Sequence, residues 1–488
     1  MKNLFTTLSI AAVILFAAAA HGQVYQYDDN WSEQGFTLKE ARTNQTVLEY
    51  SVEEFSLQDI DIKGEAMKKV ALPGHFLPND EGAPDLPGKG RYIAVPNHAD
   101  VELVITNMRK ETIENVSVAP APRIPKDDEP GPLQYSKDEK IYQKNAFYPQ
   151  NPVNISQIEK IRGVDVVMLG ITPFQYNPVT KELVVLRDIE VELQYTGGTG
   201  EFGQDKYRSH WFDPLLQDAV LNHTVIPDFD YHQQSTSRDG TGCEYLIVSP
   251  DGEAFQAWAD SIKRFRNMQG IHTEVVTLTE IGANDPDVLE DYFDDAFNSW
   301  DTPPAAVLLL GDYGTSMENS VVSPIYDSYC VSDNIYADVT GNHMPDIVFA
   351  RITANNEEQL EVMVSKMINY EKNPPVSFDF YNNPITALGW QHERWFQICS
   401  ESVYGFWQNN LGKEPRRENV LYGGSTSSWS SATNTSTVID YFGESGTGYI
   451  EDTPDYLPPL NGSGDGVNEG INSGAFMLQH RDHGFEEG

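Results

Sequence analysis

The ten residues Ala475-Phe-Met-Leu-Gln-His-Arg-Asp-His-Gly484 hold the side chains best suited to chemistry in this chain. An apolar run gives way at once to His480, Arg481, Asp482 and His483, and Gly484 follows. An imidazole exchanges a proton near neutral pH, and a glycine beside it lets backbone and a bound molecule approach closely. The run begins after the turn residues Asn472-Ser473-Gly474. It predicts a buried strand whose carboxyl end delivers His483 and Gly484 to a sheet edge, the usual place for ligands in open α/β sheets. The plainer alternative is a strand-end histidine that only bridges a loop.

Other chemistries fail on spacing. His392-Glu393-Arg394-Trp395-Phe396 begins like a zinc-protease helix, but Phe396 stands where the second histidine is needed. Gly443-Glu-Ser-Gly-Thr447 brings its second glycine one place too early for a nucleophile elbow. No glycine-rich phosphate loop carries a lysine. Asp338, Asn342 and Asp346 offer oxygen ligands for a structural calcium ion, or they make an Asx-rich hairpin turn. Cys243, Cys330 and Cys399 lie far apart, too sparse for a secreted disulfide scaffold. Cys399 reads as a buried structural thiol on a strand Trp395–Cys399.

The elements that must position these groups fall into two kinds. Residues 23–238 carry antiparallel β signals: Ile189, Val191, Leu193 and Tyr195 alternate with charged and polar residues, and Asn177-Pro178 makes a turn ahead of Leu183–Leu186. Strands are also expected at Tyr92–Val95 and Val101–Ile105, so this half is a sandwich-like domain without chemistry of its own. Residues 233–240 are polar and rich in breakers, either a linker with Arg238 as a processing point or an exposed loop.

Beyond it, strands and amphipathic helices alternate, which predicts a mainly parallel sheet covered on both faces. Strands are expected at Tyr245–Val248, Glu274–Leu278, Ala305–Leu310 and Ile347–Ala350. Helices are expected around Phe255–Met268, after Asp285-Pro286, and around Leu360–Ile368. A second unit, residues 378–488, repeats the pattern: a strand at Trp395–Cys399, a helix at Val403–Leu411, a strand at Val420–Tyr422, a helix near Val438–Phe442, and the final strand. This unit is expected to be incomplete at its C-terminal end.

At 488 residues the chain has room for several domains. Its formal charge of −40, with no basic block, argues against nucleic acid and anionic membrane surfaces as partners. Met1-Lys2-Asn3, the apolar run Leu4–Ala20 and the exit Ala20-His21-Gly22 form a signal peptide over residues 1–22, and no later segment could span a membrane.

Several motifs, in order, carry a family resemblance. They are Glu81-Gly-Ala-Pro-Asp-Leu-Pro-Gly-Lys-Gly-Arg91, Val118-Ala-Pro-Ala-Pro122, Leu308-Leu-Leu-Gly-Asp312, Ser332-Asp-Asn334, Pro345-Asp-Ile-Val-Phe-Ala-Arg351 and Asp482-His-Gly484. From about residue 70 to the end, the chain resembles the gingipain-type cysteine peptidases, secreted caspase-like endopeptidases of bacteria. Asp482 stands where the family has the first glycine of Gly-His-Gly. The resemblance implies an inhibitory β-rich pro-domain (23–238) followed by a caspase-like α/β catalytic domain of two subdomains, 241–377 and 378–488. It implies His483 as general base and acid of a Cys-His pair, the Gly484 N–H as an oxyanion-hole donor, and Glu401 as the carboxylate that orients the histidine; a surface glutamate is the alternative for Glu401. In caspase-like order the nucleophilic cysteine follows the histidine, so it is expected beyond residue 488. No cofactor is implied for catalysis. Protein or peptide substrates, the chain's own pro-domain as inhibitor, and a secretion machinery that reads a C-terminal signal are the implied partners. The rival class is a catalytically inactive, peptidase-like surface adhesion or binding protein.

Overall fold

The computed structural model describes residues 22–75, 80–124, 133–231, 240–326, 330–389, 394–420, 427–430, 435–444, 446–457 and 461–482. The predicted signal peptide as far as residue 21, the predicted linker from 233 to 239, and the pair His483 and Gly484 lie outside the described residues.

Twelve strands occupy the described part of the first half: β1 (Gln23–Gln26), β2 (Gly35–Ala41), β3 (Gln45–Ser51), β4 (Glu54–Ile62), β5 (Glu65–Ala71), β6 (Lys89–Ala94), β7 (Ala99–Ile113), β8 (Val153–Ile155), β9 (Glu159–Ile161), β10 (Val164–Ile171), β11 (Phe174–Asn177) and β12 (Glu182–Gly197). They pair antiparallel in three sheets, ordered β1-β4-β5, β6-β10-β8 with β9 also on β10, and β11-β12-β3-β2 with β7 also on β12. The alternation in β12 is the expected one: Ile189, Val191, Leu193 and Tyr195 are buried, and the residues between them are not. One apolar core, including Leu57, Ile93, Val166 and Val185, joins the three sheets.

The first α/β unit is a four-stranded parallel sheet of order β14-β13-β15-β18, made by β13 (Tyr245–Ser249), β14 (Thr273–Thr277), β15 (Ala306–Leu310) and β18 (Val348–Ile352); a small ribbon of β16 (Ile325–Tyr326) and β17 (Cys330–Val331) lies between the last two in sequence. Every residue of β15 is buried. Ile247, Leu308 and Leu310 face the helices Glu253–Met268 and Glu357–Lys372, while Leu246, Val248, Val307 and Leu309 face the helix Pro286–Ser299. Asp285 caps that last helix as expected, its carboxylate accepting from the N–H groups of Asp287 and Val288. β18 is the edge strand, and Val348 is exposed.

The second α/β unit departs from expectation. Its first strand is β19 (Ile385–Leu388), flanked in parallel by β20 (Arg416–Asn419) and β21 (Leu478–Arg481). The predicted strand Trp395–Cys399 is instead the first turn and a half of a helix, Trp395–Asn409. Five residues, four of them apolar or aromatic, are too few to separate a period of two from one of 3.6. The buried series Phe396, Ser400 and Trp407, with Glu401 and Gly405 beside it, follows the helical spacing. Gly405 lets this helix sit against the loop at Tyr449, whose carbonyl oxygen would lie 2.0 Å from any Cβ there. Of the strand predicted at Val420–Tyr422, Leu421 and Tyr422 lie outside the described residues, and β20 occupies the residues just before it; a helix Gly464–Gly474 fills the glycine-rich stretch ahead of β21. β21 is present where predicted but is not buried: Leu478, His480 and Arg481 are exposed.

Candidate active site

The register of the second sheet sets the site. Leu388 on the central strand pairs with Asn419 on one side and Arg481 on the other, so the chain beyond each leaves from the same carboxyl edge. The N–H of Gly389 donates to the Arg481 carbonyl at 3.0 Å, extending the β19–β21 pairing by one step. Asp482 thereby comes to lie beside Gly389. A methyl group at position 389 would stand 1.8 Å from Asp482 Oδ2, so the aspartate needs a glycine on the neighbouring strand. His480 lies 3.9 Å from the same carboxylate, and Arg481 stacks on Phe396 with its guanidinium 4.7 Å from the ring centre. His483 and Gly484 would be the next residues along this line, and they lie outside the described residues.

Glu401 is not just past a strand, and it is not a surface glutamate. It sits mid-helix at 1% exposure. Arg417 of β20 grips it as a fork, with Nε–Oε1 at 2.8 Å and Nη2–Oε2 at 2.8 Å. The Tyr456 hydroxyl donates to Oε2 at 3.4 Å, and the Arg417 guanidinium stacks 3.5 Å from the centre of the Tyr404 ring. The carboxylate expected to orient His483 is therefore already bound within the fold. Thr386 and Asn419, both fully buried in this sheet, have side-chain polar atoms without hydrogen-bond partners.

None of the three cysteines has the surroundings of an activated thiol. Cys243 is buried at the start of the first sheet, and desolvation pushes its thiol up to about 12. Cys330 lies on the β16–β17 ribbon, its Sγ 3.4 Å from the Tyr326 carbonyl. Cys399, expected buried on a strand, is exposed on the helix. Packing around its sulfur holds its thiol above the ordinary value, with Arg481 pulling the other way. A thiol held protonated is a poor nucleophile.

The candidate calcium loop is closed on itself. Asp338 accepts from the N–H groups of Asn342 and His343, Asp346 from those of Arg162 and Thr340, and Asn342 Oδ1 from that of Met344. These bonds build an Asx-rich turn over residues 338–344. No cluster of three His, Cys, Asp or Glu side chains placed to hold a metal occurs among the described residues.

At the carboxyl edge of the first sheet, Arg351 of β18 ties the loops together. It pairs with Asp333 at 2.7 Å and donates to the carbonyls of Gly311 and Val321. Burial pushes the Asp333 carboxyl up, but the hydrogen bonds from Arg351 and Ser323 more than offset it and hold the group below its ordinary 3.8.

A β-rich domain is thus followed by parallel α/β units that bring polar residues to a carboxyl edge. Residues 238–488 match the model of peptidase family C25, and residues 34–220 match that of the C25 propeptide. The chain belongs to peptidase family C25, the gingipain-type cysteine peptidases, and carries the family's pro-domain ahead of the peptidase part. Among curated relatives, Lys-gingipain HG66 of Porphyromonas gingivalis is 23% identical over 333 residues, covering 66% of this chain and 19% of the relative. Gingipain R1 of the same species is 23% identical over 382 residues, 76% of this chain and 36% of the relative. The chain thus spans about a fifth to a third of these relatives' length. A solved complex of the pro- and mature domains of P. gingivalis RgpB superposes with a TM-score of 0.35 at 19% identity, covering 38% of this chain and 97% of that one, too loosely to carry an argument.

Proposed function

We propose that this chain is the pro-domain and part of the catalytic domain of a secreted cysteine endopeptidase zymogen. Residues 1–22 act as the export signal, 23–238 as the inhibitory pro-domain, and 241–377 and 378–488 as two caspase-like subdomains. His483 serves as general base and then acid, taking the proton of a cysteine thiol and returning it to the leaving amine. The Gly484 N–H donates to the oxyanion of the tetrahedral intermediate. The sulfur comes from a cysteine that follows residue 488 in the complete protein. Family membership of residues 238–488 carries this reading. The placement of Asp482 at the carboxyl end of β21 supports it, because the next residue is then His483. A C-terminal sorting signal read by a secretion machinery belongs to the same proposal.

The test is His483→Ala in the complete protein, assayed on peptide amides after pro-domain removal. Loss of a catalytic base lowers kcat by roughly 10³-fold or more. Undiminished hydrolysis would remove His483 from the mechanism. A complete wild-type protein that neither cleaves peptides nor reacts with thiol-directed active-site probes would move the chain to the adhesion class.

A further inference from the structure

The β9–β10 hairpin of the pro-domain is built to project one side chain. Its two-residue turn, Arg162-Gly163, has φ of 42° and 75°, the left-handed pair of a tight hairpin. A bulky residue adopts that conformation only where its surroundings compensate. Gly163 is required at the second position, since a Cβ there would lie 2.3 Å from the Tyr207 ring. Arg162 is 2% exposed, the largest fully buried side chain among the described residues. Its partners lie in both halves of the chain. Nε donates to the Tyr207 carbonyl at 2.8 Å, while Nη1 donates across to the carbonyls of Pro304 at 3.1 Å and Asp346 at 2.6 Å. Its own N–H donates to Asp346 Oδ1 at 3.1 Å, and the guanidinium lies over Phe297 and Phe212.

The position of these partners matters. Pro304 and Asp346 immediately precede β15 and β18, so the guanidinium grips the amino edge of the first parallel sheet. His483 follows the carboxyl end of a strand in the other unit. Around the arginine, Tyr207 stacks on Phe297 at 4.7 Å, Asn342 Nδ2 donates to the Lys160 carbonyl at 2.6 Å, and His210 pairs with Glu244 at 2.8 Å.

We propose that Arg162 is the anchor that keeps the pro-domain docked on the peptidase half after the connecting segment is cut, through the amino edge of the first parallel sheet. This rests on reading residues 23–238 as a pro-domain. It separates two tasks, holding the pro-domain and blocking the site, and assigns the first to the amino edge of the first sheet.

The experiment places a specific protease site within residues 232–239 of the complete protein, cuts it, and measures dissociation of the two pieces on dilution. The readout is binding, so it stands whether or not His483 is the base. Wild-type pieces should stay together. Arg162→Ala should weaken the complex about a hundredfold or more, as expected when one partner of a buried charged hydrogen-bond set is removed. Arg162→Lys keeps the charge but not the fork and should weaken it about tenfold, which covers the case in which the alanine variant fails to fold. Lys206→Ala, which removes an exposed contact to the Asn298 carbonyl and an ammonium over the Tyr207 ring, should change it less than threefold. Wild-type pieces that separate on cutting, or Arg162 variants that hold as tightly as wild type, would overturn the anchor.

Discussion

In the first α/β unit the central strands are continuous apolar runs, and all five residues of β15 are buried. In the second, only β19 is buried throughout. Its neighbours read Arg-Arg-Glu-Asn and Leu-Gln-His-Arg, and its own Thr386 is buried with an unpartnered hydroxyl. Each unit also uses a strand arginine to hold a carboxylate. Arg351 of the first grips Asp333 among the edge loops, and Arg417 of the second grips Glu401 inside the helix–sheet interface. The difference shows where each unit's order comes from. The first rests on hydrophobic burial, with its ion pair trimming loops; the second rests on specific polar contacts laid through its interior.

That contrast can be broken most sharply at Arg417. Arg417→Met leaves the Glu401 carboxylate buried and unpaired and should cost about 3–5 kcal/mol in urea unfolding, whereas Arg417→Met with Glu401→Leu should recover most of the loss. If Glu401 also orients His483, the double variant of the complete protein regains stability without regaining activity. Next in size is the apolar term. Leu309→Ala in β15 should cost about 2–5 kcal/mol, while Leu478→Ala on β21, where the side chain is 39% exposed, should cost under about 1 kcal/mol. Equal losses at the two leucines would erase the distinction between the units. The smallest effect is acid sensitivity in the first unit. Because Asp333 is held below 3.8, the stability its pairing contributes is present above that value and disappears as pH falls through the folded value, in the range below pH 4. Asp333→Asn should flatten that part of an acid-unfolding curve, and an unchanged curve would show that the pair is not a source of pH dependence.

The same contrast explains what could be read from the sequence. β13, β15 and their helices are legible because burial on both faces writes itself as apolar runs between amphipathic stretches. β12 was legible because one face is buried. β20 was not, since Arg416 and Arg417 look like surface residues until their partners are known. The helix at Trp395 reads as a strand because four of its first five residues are apolar or aromatic, and Ser400 and Glu401, which continue its buried face, are polar. The direction and end point of β21 were visible in the sequence, but its exposure was not. Arg162 was invisible for another reason: its partners lie about 45 to 184 positions away and are mostly backbone carbonyls, which leave no compositional trace.

Asp482 and Gly389 carry a consequence for how this edge can vary. The carboxylate occupies the space that any larger residue at 389 would claim, so the two positions form a single unit of change. A descendant that acquires alanine at 389 must turn the acid at 482 aside or lose it, and one with glycine at 482 is free to put a side chain at 389.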